Sequence, residues 1–159
     1  MIWKILIFIK EALLYGRFVI VVAGKKMEMH SFKQFTRDMD KIAEWARPLG
    51  FKSVYGLWRG GVPPAIRLSH LLDIPCLRTM EEITEDTLIM EDIIDGGGTI
   101  REFLAELKRL GRGNFFRVAT LYWNPASGFK PDYFARKRKH FVIFHWATIE
   151  TSRIDHTRF

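Results

Sequence analysis

The segment Thr87-Leu-Ile-Met-Glu-Asp-Ile-Ile-Asp-Gly-Gly-Gly-Thr99 constrains this chain more than any other. An apolar run that reads as a buried strand meets two adjacent acids, two apolar residues, a third acid and three glycines, and Thr99 then opens a helical pattern. A strand apolar on both faces needs helices on both sides, so this turn belongs to parallel α/β architecture. Glycines let backbone amides approach a phosphate closely. The helix start adds unpaired N–H groups and the positive end of the dipole. Glu91 and Asp92 stand at the carboxyl end of the strand, where open α/β sheets bind ligands. Carboxylates there hold sugar hydroxyls or a phosphate-bound Mg²⁺. The pattern lacks the lysine of a Walker A loop and is not GxGxxG.

From His30 the chain alternates in the same sense. Ser31 and Gln34 form a capping-box signature, and Phe35, Met39, Ile42, Ala46 and Leu49 recur at helical spacing until Pro48 and Gly50. Lys52 to Leu57 reads as a strand, and Pro63-Pro64 opens a second helix with Ile66, Leu68, Leu71 and Leu72 as its apolar positions. Strands are also expected at Ile74–Leu77, Thr87–Met90, Phe116–Tyr122 and Phe141–Trp146, with a helix over Thr99–Leu110 ended by Gly111. Crossover helices between strands predict an open, mainly parallel sheet flanked by helices. No internal repeat or linker interrupts it, so residues 29–159 read as one domain.

With 159 residues, 48% hydrophobic and 27% charged, the chain is neither disordered nor low-complexity. Its one cysteine, Cys76, excludes an internal disulfide and a thiolate zinc site, which makes a reducing cytoplasm the natural compartment. The net charge of +7 points to an anionic ligand. His30, His70, His140, His145 and His156 show no metal-ligand spacing. The basic run Arg136-Lys137-Arg138-Lys139 reads as a solvated loop or a dimer contact ahead of a nucleic-acid patch. Residues 1–28 form an apolar extension, but Lys10, Glu11 and Arg17 break it before a spanning length is reached, so no stable membrane insertion is expected. As a signal peptide it has only Lys4 as a basic start and a broken apolar stretch. The favoured reading is a dispensable strand or helix added to the core, or a segment upstream of a start at Met27 or Met29.

The stretch from Leu88 to Thr99 resembles the phosphoribosyl-pyrophosphate (PRPP) loop of the type I phosphoribosyltransferases: four hydrophobics, two acids, two hydrophobics, then Asp-Thr-Gly-Gly/Lys-Thr. Its Glu91-Asp92-Ile93-Ile94-Asp95 core is similar to the xanthine-guanine and hypoxanthine-guanine branch. Val54 to Ala65, with Trp58-Arg59-Gly60-Gly61 at its centre, resembles that family's pyrophosphate loop, and the two segments stand in family order. The resemblance covers roughly residues 30 to 147 and implies the type I phosphoribosyltransferase fold. It also implies an enzyme of purine salvage that joins a nucleobase to PRPP with Mg²⁺ and releases pyrophosphate, with a homo-oligomer as the expected assembly.

Residue by residue, the resemblance makes Asp95 the general acid or base at the purine. It sets Arg59 on the pyrophosphate, assisted by the amides of Trp58 and Gly60. Glu91 and Asp92 hold the ribose and contribute to Mg²⁺, mainly through substrate and water. Gly96, Gly97, Gly98 and Thr99 cradle the 5′-phosphate. Base binding falls on Phe141 as the stacking ring, on the Val142 backbone, and on Asn124, which stands where xanthine-guanine relatives carry a lysine facing the exocyclic oxygen. Two departures accompany it. Gly96 replaces the usual threonine, and the connection from Arg78 to Thr87 leaves the flexible hood short or missing. Two alternatives stay open: a non-catalytic PRPP- or nucleotide-binding regulator of the same fold, and a transferase for a pyrimidine or unusual base, which Asn124 favours.

Overall fold

The computed structural model describes residues 18–22 and 25–147. In chain order the elements are β1 (Phe18–Val22), β2 (Lys25–His30), α1 (Phe32–Ala46), β3 (Ser53–Gly56), α2 (Val62–Leu72), β4 (Thr87–Ile94), α3 (Gly98–Arg109), β5 (Val118–Trp123), β6 (Tyr133–Lys137) and β7 (Phe141–Phe144). Three single turns of 3-10 helix fall at Arg47–Leu49, Met80–Glu82 and Pro125–Ser127. Of the apolar extension, residues 1–17, 23 and 24 lie outside the described residues, as does His156. No helix among the described residues is long and apolar enough to cross a membrane.

Contacts divide the chain into two compact units, one of Met1–Thr36 with Lys139–Phe159 and one of Arg37–Arg138. The first contains a three-stranded sheet in the order β1-β2-β7, antiparallel between β1 and β2 and parallel between β2 and β7. Ser31 and Gln34 form the expected capping box at the start of α1: Gln34 N–H donates to Ser31 Oγ (3.3 Å), and Ser31 N–H donates to Gln34 Oε1 (2.9 Å).

The second unit is a four-stranded sheet, β3-β4-β5-β6, parallel throughout. Leu88, Ile89 and Met90 of β4 are wholly buried, as a strand covered on both faces requires. Ile89 and Ile94 join Ile100 and Leu107 of α3, with Val118, Leu57 and Ile83, in one apolar cluster. Apolar burial of this kind contributes roughly 1.5–3 kcal/mol per large side chain.

The structure corrects four local expectations. Ile74–Leu77 is not a strand: Cys76 makes a single bridge to Val54, because Pro75 has no N–H with which to continue a ladder. The strand expected over Thr87–Met90 runs on to Ile94, since Glu91, Ile93 and Ile94 keep pairing with Thr120, Tyr122 and Trp123. The strand expected over Phe141–Trp146 ends at Phe144 and belongs to the three-stranded sheet. Part of the basic run is a strand and not a solvated loop. Arg136 lies on β6 and its guanidinium grips the buried Asp38 carboxylate, with Nε on Oδ2 and Nη2 on Oδ1 (3.3 Å).

Candidate active site

The carboxyl ends of β3, β4, β5 and β6 lie side by side, and each delivers a residue of interest. After β4 come Asp95 and the glycines. Gly97 adopts φ +74°, the left-handed region open to glycine, and a Cβ there would collide with Phe129 and the Ser127 carbonyl. It caps α3 without a side-chain hydrogen bond of its own, at a helix start of the kind that receives anions. Arg101, one turn along, donates to the Gly96 carbonyl (3.2 Å) and to the Ser127 carbonyl (3.2 Å), tying this turn to the β5–β6 connection. Thr99 is exposed at the helix start.

Glu91 is buried on β4 next to the half-buried Asp92. Burial, then the charge of Asp92 and a hydrogen bond between the two, push the Glu91 carboxyl well above the usual carboxylate range. The Asp92 N–H, donating to Glu91 Oε1 at 2.9 Å, offsets part of this. Hydroxyl donors or a cation beside the pair would relieve that strain. Two carboxylates fit a magnesium ion held mostly by water and substrate phosphate, and the described residues hold no cluster of three or more His, Cys, Asp or Glu that would cage a metal unaided.

The loop after β3 is stitched to β4 by the Leu57 N–H on the Met90 carbonyl (2.9 Å) and closes on itself through Gly61 N–H to the Leu57 carbonyl (2.8 Å). The Trp58–Arg59 peptide is cis. Any side chain at Gly60 would strike the Asp92 carboxylate. The Arg59 loop and the acidic end of β4 are therefore in direct contact. Trp58 stands 73% exposed on this loop.

Asp95 is less open than its position suggests. Its Oδ1 accepts from Asn124 Nδ2 (3.0 Å) and from Arg138 Nη1. The other end of the Asn124 amide accepts from the Ala126 N–H (3.0 Å). The structure thus brings together Glu91, Asp92, Gly60 and its loop, and separately joins Asp95 to Asn124. Phe141 and Val142 lie on β7 in the other unit, the first half-buried and the second buried. Arg101 and Arg138 were not singled out from the sequence. Arg138 sat inside a charge run, and nothing local announces a partner 43 residues away.

No protein-family model matches this chain, and no curated protein matches it. Solved structures do. A purine phosphoribosyltransferase from Pyrococcus horikoshii aligns with a TM-score of 0.69 and 26% identity over 77% of this chain and 95% of its own. A xanthine-guanine-hypoxanthine phosphoribosyltransferase from Helicobacter pylori aligns at 0.68 and 16% identity, over 82% and 99%. A hypothetical protein from Neisseria gonorrhoeae with bound ppGpp aligns at 0.64 and 17%, over 83% and 95%. The last two, at such low identity, speak for the fold alone. The chain has the type I phosphoribosyltransferase fold.

Proposed function

We propose that this chain transfers ribose 5-phosphate from PRPP to a purine base and releases pyrophosphate. The observation that carries this reading is the contact between the two loops: Gly60 abuts Asp92, so a pyrophosphate gripper and a ribose-phosphate cradle adjoin at one sheet edge. In the reaction the bond from C1′ to the pyrophosphate oxygen breaks, its electron pair leaving with pyrophosphate, and a bond to the purine nitrogen forms. Arg59 holds the departing phosphates through charge-assisted hydrogen bonds. Glu91 and Asp92 orient the ribose hydroxyls, and the turn from Gly96 to Thr99 receives the 5′-phosphate. Asp95 takes the proton that the base gives up at N7. Magnesium, when bound with PRPP against Glu91 and Asp92, supplies charge neutralisation of the leaving group.

One feature supports a second reading, a PRPP- or nucleotide-binding protein without turnover. The connection from Arg78 to Thr87 is short and pinned down. Arg78 and Thr79 N–H groups both donate to Glu82 (3.1 Å each), Thr84 N–H donates to Thr87 Oγ1 (3.0 Å), and Ile83 is buried. Such a segment covers little of a neighbouring site. The test is to incubate the protein with PRPP, Mg²⁺ and a panel of purine and pyrimidine bases, following pyrophosphate and nucleotide. Nucleotide from purines is the expected result. Nucleotide from pyrimidines alone overturns the purine assignment, and PRPP binding without pyrophosphate release selects the second reading.

A further inference from the structure

We propose that Arg138 is the positioning residue for Asp95, a role that rests on the transferase reading above. Three neighbouring strand ends meet here: Asp95 follows β4, Asn124 follows β5 and Arg138 follows β6. Both donors are fixed by backbone as well as by side chain. The Asn124 N–H donates to the Ile94 carbonyl (2.8 Å), and the Arg138 N–H donates to the Trp123 carbonyl (2.7 Å), so each extends a sheet ladder. Groups held on strand ends keep their geometry better than groups on free loops.

Both side-chain donors fall on the same Asp95 oxygen, Oδ1, and Oδ2 accepts none among the described residues. A carboxylate on two rotatable bonds is thereby gripped at one oxygen, with the other left to receive a proton. The planar guanidinium suits this task because its fork fixes direction as well as charge. Asp95 is 37% exposed and Arg138 20%, so the pair sits at the rim of the site and not in the core, where breaking it would unfold the chain. Lys137, the last residue of β6 and the one before Arg138, is exposed and serves as a control.

The experiment measures nucleotide formation, PRPP affinity by calorimetry and melting temperature for the wild type, Arg138→Met, Arg138→Lys and Lys137→Met. Misplacing a reacting group costs on the order of ten- to a hundredfold. We expect that fall in kcat for Arg138→Met, with PRPP affinity and melting temperature held and part of the rate restored by Arg138→Lys. Lys137→Met should match the wild type. An unchanged kcat in Arg138→Met overturns the proposal, as does a raised one, which would make the contact a mask over Asp95. A parallel loss of kcat, affinity and melting temperature in both arginine variants also overturns it, in favour of a packing role. A wild type that makes no nucleotide from any base is a different failure, that of the transferase reading, and this role falls with it.

Discussion

At the end of β3 and in the loop after it, Gly56, Gly60 and Gly61 are walled in: a Cβ would strike the Gly61 carbonyl, the Asp92 carboxylate and the Met90 carbonyl in turn. In the turn after β4, a Cβ at Gly96 or Gly98 meets nothing within 4 Å, and neither residue has a positive φ. The first loop needs glycine because its own backbone and a neighbouring acid occupy the space. The second, Gly97 apart, does not need it for folding. Smallness there is what the proposed phosphate cradle requires.

The division of labour can be broken at several points. The largest effect belongs to Asp95→Asn, which removes proton transfer and leaves the cradle whole. Turnover should fall by on the order of 10²-fold with PRPP affinity held, and an unchanged rate in a steady-state assay would take Asp95 out of the chemistry. Arg59→Ala acts on the other loop. It should weaken pyrophosphate binding, followed by calorimetry, by about 1.5–3 kcal/mol, the value of a charged hydrogen bond. Unaltered pyrophosphate affinity would mean that the first loop grips something else.

The glycines sharpen the contrast through stability. Gly61→Ala forces a methyl group against the Met90 carbonyl and should lower stability by about 1–3 kcal/mol in thermal or denaturant unfolding. Gly98→Ala, in the first turn of α3 with room to spare, should raise stability by about 0.5–1 kcal/mol. Equal losses in the two variants would erase the distinction drawn here. A further change is Gly96→Thr, whose Cβ meets nothing within 4 Å and which adds a hydroxyl. A gain in PRPP affinity of about 0.5–1.5 kcal/mol is expected, and no gain would show that backbone amides alone make the cradle.

Local chemistry made much of this molecule readable. The capping box at Ser31, the Pro63-Pro64 helix start and the buried strand that runs into Glu91-Asp92 each rest on neighbours a few residues apart, and each is present. The strand β6 was not readable for the opposite reason. Arg136 and Arg138 suggest a solvated stretch until their partners are known, and those partners are distant: Asp38 lies 98 residues away and Asp95 lies 43 away. Once neutralised, an arginine tolerates a strand that its free charge would disfavour. The pairing of β7 with β2 is likewise non-local, and alternation cannot say which sheet receives a strand. In the candidate site the acids and glycines announced themselves through an unusual order. The Asn124 hydrogen bond to Asp95 depends on how strand ends align, which residue order does not encode.

Arg101 carries one further consequence. In a trans peptide the carbonyl and the following N–H point in opposite directions. Holding the Gly96 oxygen toward the Arg101 guanidinium therefore aims the Gly97 N–H away from it. A peptide free to flip would present an anion with a carbonyl about as often as with a donor, and binding would have to wait for the rotation. Pinned, the turn is set before any encounter, so little ordering free energy is lost on association. On the transferase reading proposed above, capture at such a site is governed by diffusion and charge, and the chain's surplus of +7 then acts on the rate at which phosphates arrive.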